Sequence, residues 1–342
     1  MTTEPIRNME EFAARCGVSR PTVSKYFNDP ASVRPGVRDR IEKAIARYQF
    51  RPNMYAVNQN RRLTKTIGIV VPYLADPFFA EISRYIENRV IEAGFSPSLF
   101  SSHGSQELES EALDTLRAMK ASGLLFAPLG LLSDRAAIER FTKTVPTVLF
   151  DSNLDGFGAA YVGLNNAQSV PMMVEHLCRT GSAPCFVEMP PVNPNVDNRR
   201  HAYVSAMERL GHEPQVIRID GSDWNFEEIG FREGGALIAE GRLPSTTVLC
   251  SNDRLAIGLL AAAYEQGKRV GTGSDCDLRI AGHDDHPFSR FTCPALTTVA
   301  QDYDAISSHS VETLIALIEG GRAQVPRAET RYEGRLVVRK SA

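Results

Sequence analysis

The sequence holds a single tryptophan, no Cys-x-x-Cys pair and no apolar run near the roughly 18 residues that a membrane span requires. Each shortage removes a class of protein. Six cysteines (Cys16, Cys178, Cys185, Cys250, Cys276, Cys293) lie too scattered for a disulfide frame or a zinc site, and read as free, mostly buried thiols of a reducing compartment. The opening MTTEPIRNMEEFAARCG lacks the apolar core of a secretory signal, so a cytoplasmic chain is expected. Walker, G-x-S-x-G and H-E-x-x-H motifs are missing, and Gly271-Thr-Gly-Ser-Asp-Cys276 lacks the last glycine of a dinucleotide fingerprint and precedes a strand instead of following one. Asp284 and Asp285 are adjacent and point apart, which rules out a glycosidase pair. In His283-Asp284-Asp285-His286, strand alternation sends neighbours to opposite sides and disfavours four convergent metal ligands. No catalytic residues, metal or cofactor are therefore expected. At 43% hydrophobic and 23% charged residues the chain is folded, and 342 residues fit two or three domains.

The net charge of −3 is an average of two opposites. Residues 1–65 carry 13 Lys/Arg against 6 Asp/Glu, and the remainder carries 25 against 35. A basic head on an acidic body points to a polyanionic partner for the head. The head reads as three short helices. Asn8 caps the first, with Met9, Phe12, Ala13 and Cys16 on one apolar face and Gly17 ending it. Ser19 caps a second helix, whose first turn tolerates Pro21, whose Val23 and Phe27 face inward, and which Asn28-Asp29-Pro30 stops. A third follows Pro35, with Val37, Ile41, Ala44, Ile45 and Tyr48 on one stripe. Two helices joined by a Gly-containing turn describe a helix-turn-helix. Its second helix presents Arg20, Thr22, Ser24 and Lys25 outward, residue types that bind guanine edges and phosphates.

The run from Met9 to Asn28, continued through Val37-Arg38 and Ile41 to Tyr48-Gln-Phe-Arg-Pro-Asn53, closely resembles the headpiece of the lactose/galactose-repressor (LacI/GalR) family. That resemblance implies DNA contacts at Asn8, Ser19, Arg20, Pro21, Thr22, Ser24, Lys25, Asn28 and Arg34. It also implies a hinge over residues 51–65 that folds on operator DNA through Asn53 and Ala56, the wedge position, usually Leu, falling on Gln59.

From Thr66 onward the chain alternates strand and helix. Ile67–Val71 is a continuous apolar run; Phe78, Ile82, Ile86 and Val90 repeat at helical spacing, and Gly94 ends that helix. Strands at 99–100, 124–126 and 145–150 and helices near 106–120 and 134–142 continue the series, which restarts after Asn165 and runs to Leu278–Ala281. This is the arithmetic of two doubly wound sheets whose strand carboxyl ends face a shared cleft. The body also resembles the same family, which shares the periplasmic sugar-binding-protein fold, through Phe79–Ile82, Ser251–Gly258, Gly282–Asp285 and Ala295–Val299. The fold class expected is thus an N-terminal all-α helix-turn-helix headpiece (1–50) plus an α/β two-lobe periplasmic-binding-protein-like core of two doubly wound parallel sheets (66–342).

The resemblance implies three crossings between lobes, near 165, 298 and 327, giving a first lobe of about 66–165 and 299–326 and a second of about 166–298 and 327–342. It puts effector contacts at Phe78, Phe79, Asp151, Arg199, Trp224, Asn252, Asp284 and Gln301, with His283 where an aromatic is usual. Aromatic faces and planar polar groups suit a sugar-like molecule, although capping of the following helix is the alternative for Asp151, Asn252 and Asp284, and core packing for Trp224. The function expected is a DNA-binding transcriptional regulator, most simply a repressor, acting as a homodimer on near-palindromic double-stranded operator DNA and controlled by a carbohydrate effector, with no enzymatic activity and no membrane. Control by a nucleobase or a protein partner is the alternative; a solute-binding protein without DNA function is contradicted by the basic head.

Overall fold

The computed structural model describes residue 6 and residues 8–28, 30–50, 64–219, 224–320 and 327–342. The chain divides into two units, Met1–Thr64 and Lys65–Ala342. In the first unit, helices α1 (Met9–Cys16), α2 (Arg20–Asn28) and α3 (Pro35–Tyr48) surround a small core of Phe12, Ala13, Cys16, Val23, Ile41, Ala44 and Phe50. Asn8 caps α1 by accepting from the Glu11 amide at 2.9 Å. Gly17 ends the helix at φ +63°, a left-handed conformation that a side chain would strain. Two long-range contacts close this unit: the Phe50 ring stacks on Phe12 at 4.2 Å, and Arg40 donates to the Cys16 and Gly17 carbonyls left open at the end of α1.

The second unit begins with β1 (Thr66–Val71), α4 (Pro77–Glu92), β2 (Ser96–Ser101), α5 (Gln106–Ala118), β3 (Gly123–Phe126), α6 (Arg135–Thr142), β4 (Thr147–Phe150) and β5 (Ala160–Leu164). Next come α7 (Asn166–Thr180), β6 (Cys185–Glu188), α8 (Asn195–Arg209), β7 (Val216–Arg218), α9 (Phe226–Ala239), β8 (Thr247–Cys250), α10 (Asp253–Glu265) and β9 (Arg279–Ala281). The chain closes with β10 (Thr298–Ala300), α11 (Tyr303–Glu319), β11 (Ala328–Tyr332) and β12 (Arg335–Val337). The first lobe carries a six-stranded parallel sheet in the order β11-β5-β4-β3-β1-β2, and the second a four-stranded parallel sheet in the order β7-β6-β8-β9. An antiparallel pair, β10 with β12, lies in the segments that pass between the lobes. The architecture is the expected one, a helix-turn-helix head followed in the chain by a two-lobe α/β core.

Three details differ from the sequence reading. Residues 328–332 were expected in the second lobe, yet β11 pairs with β5 along the first lobe's edge, so the last crossing follows Tyr332 instead of lying near 327. The segment Ala-Glu-Thr-Arg-Tyr offers no apolar run, and only main-chain pairing reveals it as a strand. Strand β5 and helix α11 also escaped the alternation; α11 buries Ser307 and Ser310 beside Ile306, Val311 and Leu314, which blurs its apolar stripe. Helix α8 starts at Asn195 rather than 199, because the Asn193 side chain accepts from the Asn195 amide at 2.9 Å and organises the turn before it. Among the described residues no helix is long and apolar enough to cross a membrane. The largest apolar cluster runs unbroken from Ile82 and Phe79 of the first lobe through Trp224 and Phe226 to Leu255 of the second.

Candidate functional site

Arg20 and Pro21 open α2 and are exposed, as are Lys25 one turn on and Arg34 before α3. No side-chain hydrogen bond or ion pair of Arg20, Lys25 or Arg34 is formed among the described residues, the Arg34 carbonyl accepting from the Val37 and Arg38 amides. Ser24 is half-buried on the same helix. Ser19 and Thr22 pair through their hydroxyls at 2.8 Å, and the Thr22 amide donates to Ser19 at 3.4 Å, which ties both to the helix start. Asn8 is likewise engaged as a cap. The head thus offers outward cations held on a short helix whose own start is satisfied. Asn28 ends that helix. The expected hinge contacts Asn53, Ala56 and Gln59 lie outside the described residues.

In the body, the carboxyl ends of the parallel strands converge on one cavity. Asp76 and Phe78 follow β1, Asp151 follows β4, Met189, Asn193 and Asn195 follow β6, Trp224 follows β7, Asn252 follows β8 and Asp284 follows β9. Phe79, Phe226 and Arg199, from α4, α9 and α8, complete the wall. Both lobes contribute, as strand-end clefts of open sheets do. The cavity measures about 30 Å³, room for water but far below the roughly 300–1,000 Å³ of ligand pockets. The cleft is shut on its own side chains.

Arg199 is the hub. Its guanidinium donates to both Asp284 oxygens (2.6 and 3.3 Å), to the Ser251 carbonyl (2.6 Å) and to Asn166 (3.2 Å). Asp284 also accepts from Gln301 at 2.8 Å. Burial opposes charge on Asp284, but Arg199 and His283 outweigh it and hold the carboxyl at about 2. His283 is pushed down to about 4 by burial and then by Arg199, so the ring is neutral. An ionised Asp284 only accepts, so His283 Nδ1 carries the proton at 3.1 Å and Nε2 accepts from the Ser169 hydroxyl at 3.0 Å. This Ser-His-Asp order has the look of a charge relay, but Ser169 is 0% exposed inside α7 and has no path to a substrate. Of the remaining neighbours in that tetrad, Asp285 turns away to Arg339 (2.7 Å), and the His286 amide donates to Asp253 (2.8 Å).

Asp151 contrasts with Asp284. Among the described residues its Oδ1 accepts only from Asn195 at 3.3 Å, and burial pushes its carboxyl up to about 7, Arg199 pulling down while Asp284 and Asp76 push further. Its backbone sits at φ +56°, an unfavourable conformation for a non-glycine residue that aims the side chain at the cavity. The lobes are latched by Arg254 of the second lobe, which donates to Asp76 at 3.0 Å and grips Glu227 through two bonds of 2.6 and 2.7 Å. Glycines permit the closest approach: a Cβ at Gly104 would meet the Trp224 indole at 2.7 Å, and one at Gly130 would meet Pro194 at 2.5 Å. Trp224, 4% exposed, packs on Tyr73, Phe79 and Phe226, and its buried Nε1 has no hydrogen-bond partner among the described residues.

Seven of the eight expected effector residues line this cavity; Gln301 stands behind it, bonded to Asp284. Asn252 does double duty: its Oδ1 caps α10 through the Leu255 amide (2.9 Å) while its Nδ2 faces Met189, so the capping alternative holds for its oxygen. Asp76, Met189, Asn193, Asn195 and Phe226 were not singled out beforehand. Asp76-Pro77 before an apolar helix is the one signal that had been available, a capping pattern. A second, larger hollow of about 530 Å³ is flanked by Arg209 and Arg331, which are ion-paired with Glu175 and Glu329, and it holds none of the expected effector residues.

A reading helix with free cations, joined to a two-lobe body with a strand-end cleft, defines a DNA-binding transcriptional regulator. Residues 8–53 match the family described as bacterial regulatory proteins, lacI family, and residues 175–342 match the periplasmic binding protein-like domain. The chain thus carries a lacI-family DNA-binding domain followed by a periplasmic-binding-protein-like domain. It is 26% identical over 336 residues to the NTD biosynthesis operon regulator NtdR of Bacillus subtilis (97% of this chain, 99% of that one). It is 28% identical over 318 residues to the transcriptional repressor CytR of Escherichia coli K12 (93% and 91%). A Lac repressor dimer bound to operator and the anti-inducer ONPF superposes with a TM-score of 0.83 at 27% identity, covering 99% of each chain.

Proposed function

We propose that this regulator binds a near-palindromic operator as a homodimer, reading each half-site with Arg20 and Lys25 of α2, and that a sugar-like effector bound between the body lobes controls it. The observation that carries this reading is the convergence of Asp151, Arg199, Trp224, Asn252 and Asp284, far apart in sequence, on one cavity walled by both lobes. A ligand there would touch both lobes at once, so binding it selects one lobe angle over another and biases DNA binding by that difference. The dimeric Lac repressor seen on operator with a small molecule supports the same arrangement by likeness. The closed cleft means that the effector must enter an opened form, displacing the contacts that fill the cavity. The test is a thermal-shift and operator-binding screen of the full chain against neutral sugars, amino sugars, sugar phosphates, polyols and nucleobases. A sugar that raises the melting temperature and changes operator affinity supports the reading; response only to nucleobases, or to none, transfers control to another class of ligand or to a partner protein.

A further inference from the structure

We propose that the effector of this cleft is an amine-bearing polyol, such as an amino sugar, whose ammonium lies against Asp151 and among the aromatic rings of Trp224, Phe79 and Phe226; the inference rests on the cleft reading above. Among the described residues the cavity wall carries three carboxylates, Asp76, Asp151 and Asp284, and one cation, Arg199. Arg199 is already paired with Asp284, and four of its five N–H groups are committed, to Asp284, Ser251 and Asn166. Arg254 is likewise committed to Asp76 and Glu227. An anionic ligand would enter a cavity rich in carboxylates whose cation is already neutralised by Asp284, and burying a poorly paired charge is costly. Asp284 and Asp76 have their own guanidinium partners. Asp151 has none: its Oδ1 makes only the long bond to Asn195, and its Oδ2 makes no hydrogen bond among the described residues, although the side chain is 8% exposed and lines the cavity. Carboxylate and aromatic faces together are what an ammonium seeks, a charge partner on one side and ring quadrupoles on the other.

The proposal has a proton signature. The groups acting on Asp151 are Arg199 and the Asn195 amide, which lower its carboxyl, and Asp284 and Asp76, which raise it, with the Tyr161 hydroxyl donating to its backbone carbonyl. Burial holds the carboxyl at about 7. An arriving ammonium favours the ionised form, so binding the amine at pH 6 expels a proton.

Calorimetry on the full chain with three matched probes, D-glucosamine, D-glucose and D-glucose 6-phosphate, and with the galactose series, tests this. The expected result is an amino sugar bound at least tenfold tighter than its parent, no binding of the phosphate, and a heat at pH 6 that varies with the ionisation enthalpy of the buffer as one proton is released. In Asp151→Asn, with folding checked by its melting temperature, the ratio of amino-sugar to parent affinity should fall to about one. A parent sugar that binds as tightly as its amino derivative, or a phosphate that binds better than either, overturns the amine while leaving the cleft reading in place. No binding by any sugar of either series overturns both.

Discussion

In the head, the cations assigned to recognition are exposed with their side-chain donors unengaged; in the body, the charged groups assigned to recognition are buried and mostly bound to one another. Arg20, Lys25 and Arg34 are exposed and their side chains make no hydrogen bond among the described residues, whereas Arg199 is 4% exposed and its side chain makes four. The difference follows from the partners. DNA brings its own dense array of acceptors to a surface, so the protein need only hold cations at the right pitch. A small molecule in a cleft must be enclosed, and enclosed polar groups have to be satisfied whether or not the ligand is there. Binding and stability should therefore separate in the head and coincide in the body.

The largest effect that probes this contrast is Arg199→Ala. It strands the Asp284 carboxylate without its buried partner and removes the donor to Ser251, a loss of about 3–5 kcal/mol. Thermal denaturation should show a marked fall in the body's transition, and effector binding should vanish with it; an unchanged melting temperature would break the contrast.

His283→Phe comes next. The ordinary histidine value is 6.5, and His283 in the fold titrates at about 4. A base depressed in this way contributes stability that is complete above its unfolded value and lost as pH falls toward its folded one, a differential of about 3 kcal/mol at most. Asp151 and Asp253, both pushed up to about 7 chiefly by burial, act in the opposite sense, destabilising the fold as pH climbs from their ordinary 3.8. The wild-type curve mixes these trends, so the readout is the difference between the two proteins: the variant should lose less melting temperature between pH 6.5 and 4. Parallel curves would deny His283 that role.

The smallest effect is expected on the other side of the contrast. Arg20→Ala should relax preference at one or two base pairs per half-site, worth about 1–3 kcal/mol of discrimination, with the melting temperature unmoved. Binding-site selection beside calorimetry checks it, and an unchanged preference removes Arg20 from the reading surface.

How far each region was legible follows the same division. The head's helices are set by local features, the Asn8 cap, Gly17 and the apolar face of Phe12, Ala13 and Cys16, which stand within a few residues of one another. What local pattern missed there were the Phe50 stack and the Arg40 bonds, each formed by residues more than twenty positions apart. In the body, the buried strands announced themselves by apolar runs, but β11 did not, since its Glu329 and Arg331 face outward and its place is fixed by backbone pairing. The cleft residues came from likeness to a family; periodicity alone gives no reason why Asn195 should meet Asp151, a contact across 44 positions that exists only when both sheets have folded.

The two glycines where the lobes touch give this regulator a short path through sequence space. At Gly104 and Gly130 a single methyl group has nowhere to go without moving Trp224 or Pro194, and both glycines sit at positive φ, 77° and 82°, where an added side chain is strained as well. One nucleotide change can therefore insert a doorstop. The lobes would be held apart with no effector present, and a lineage could exchange a responsive switch for a fixed one, or mend it again by reversion, without altering a residue that touches DNA.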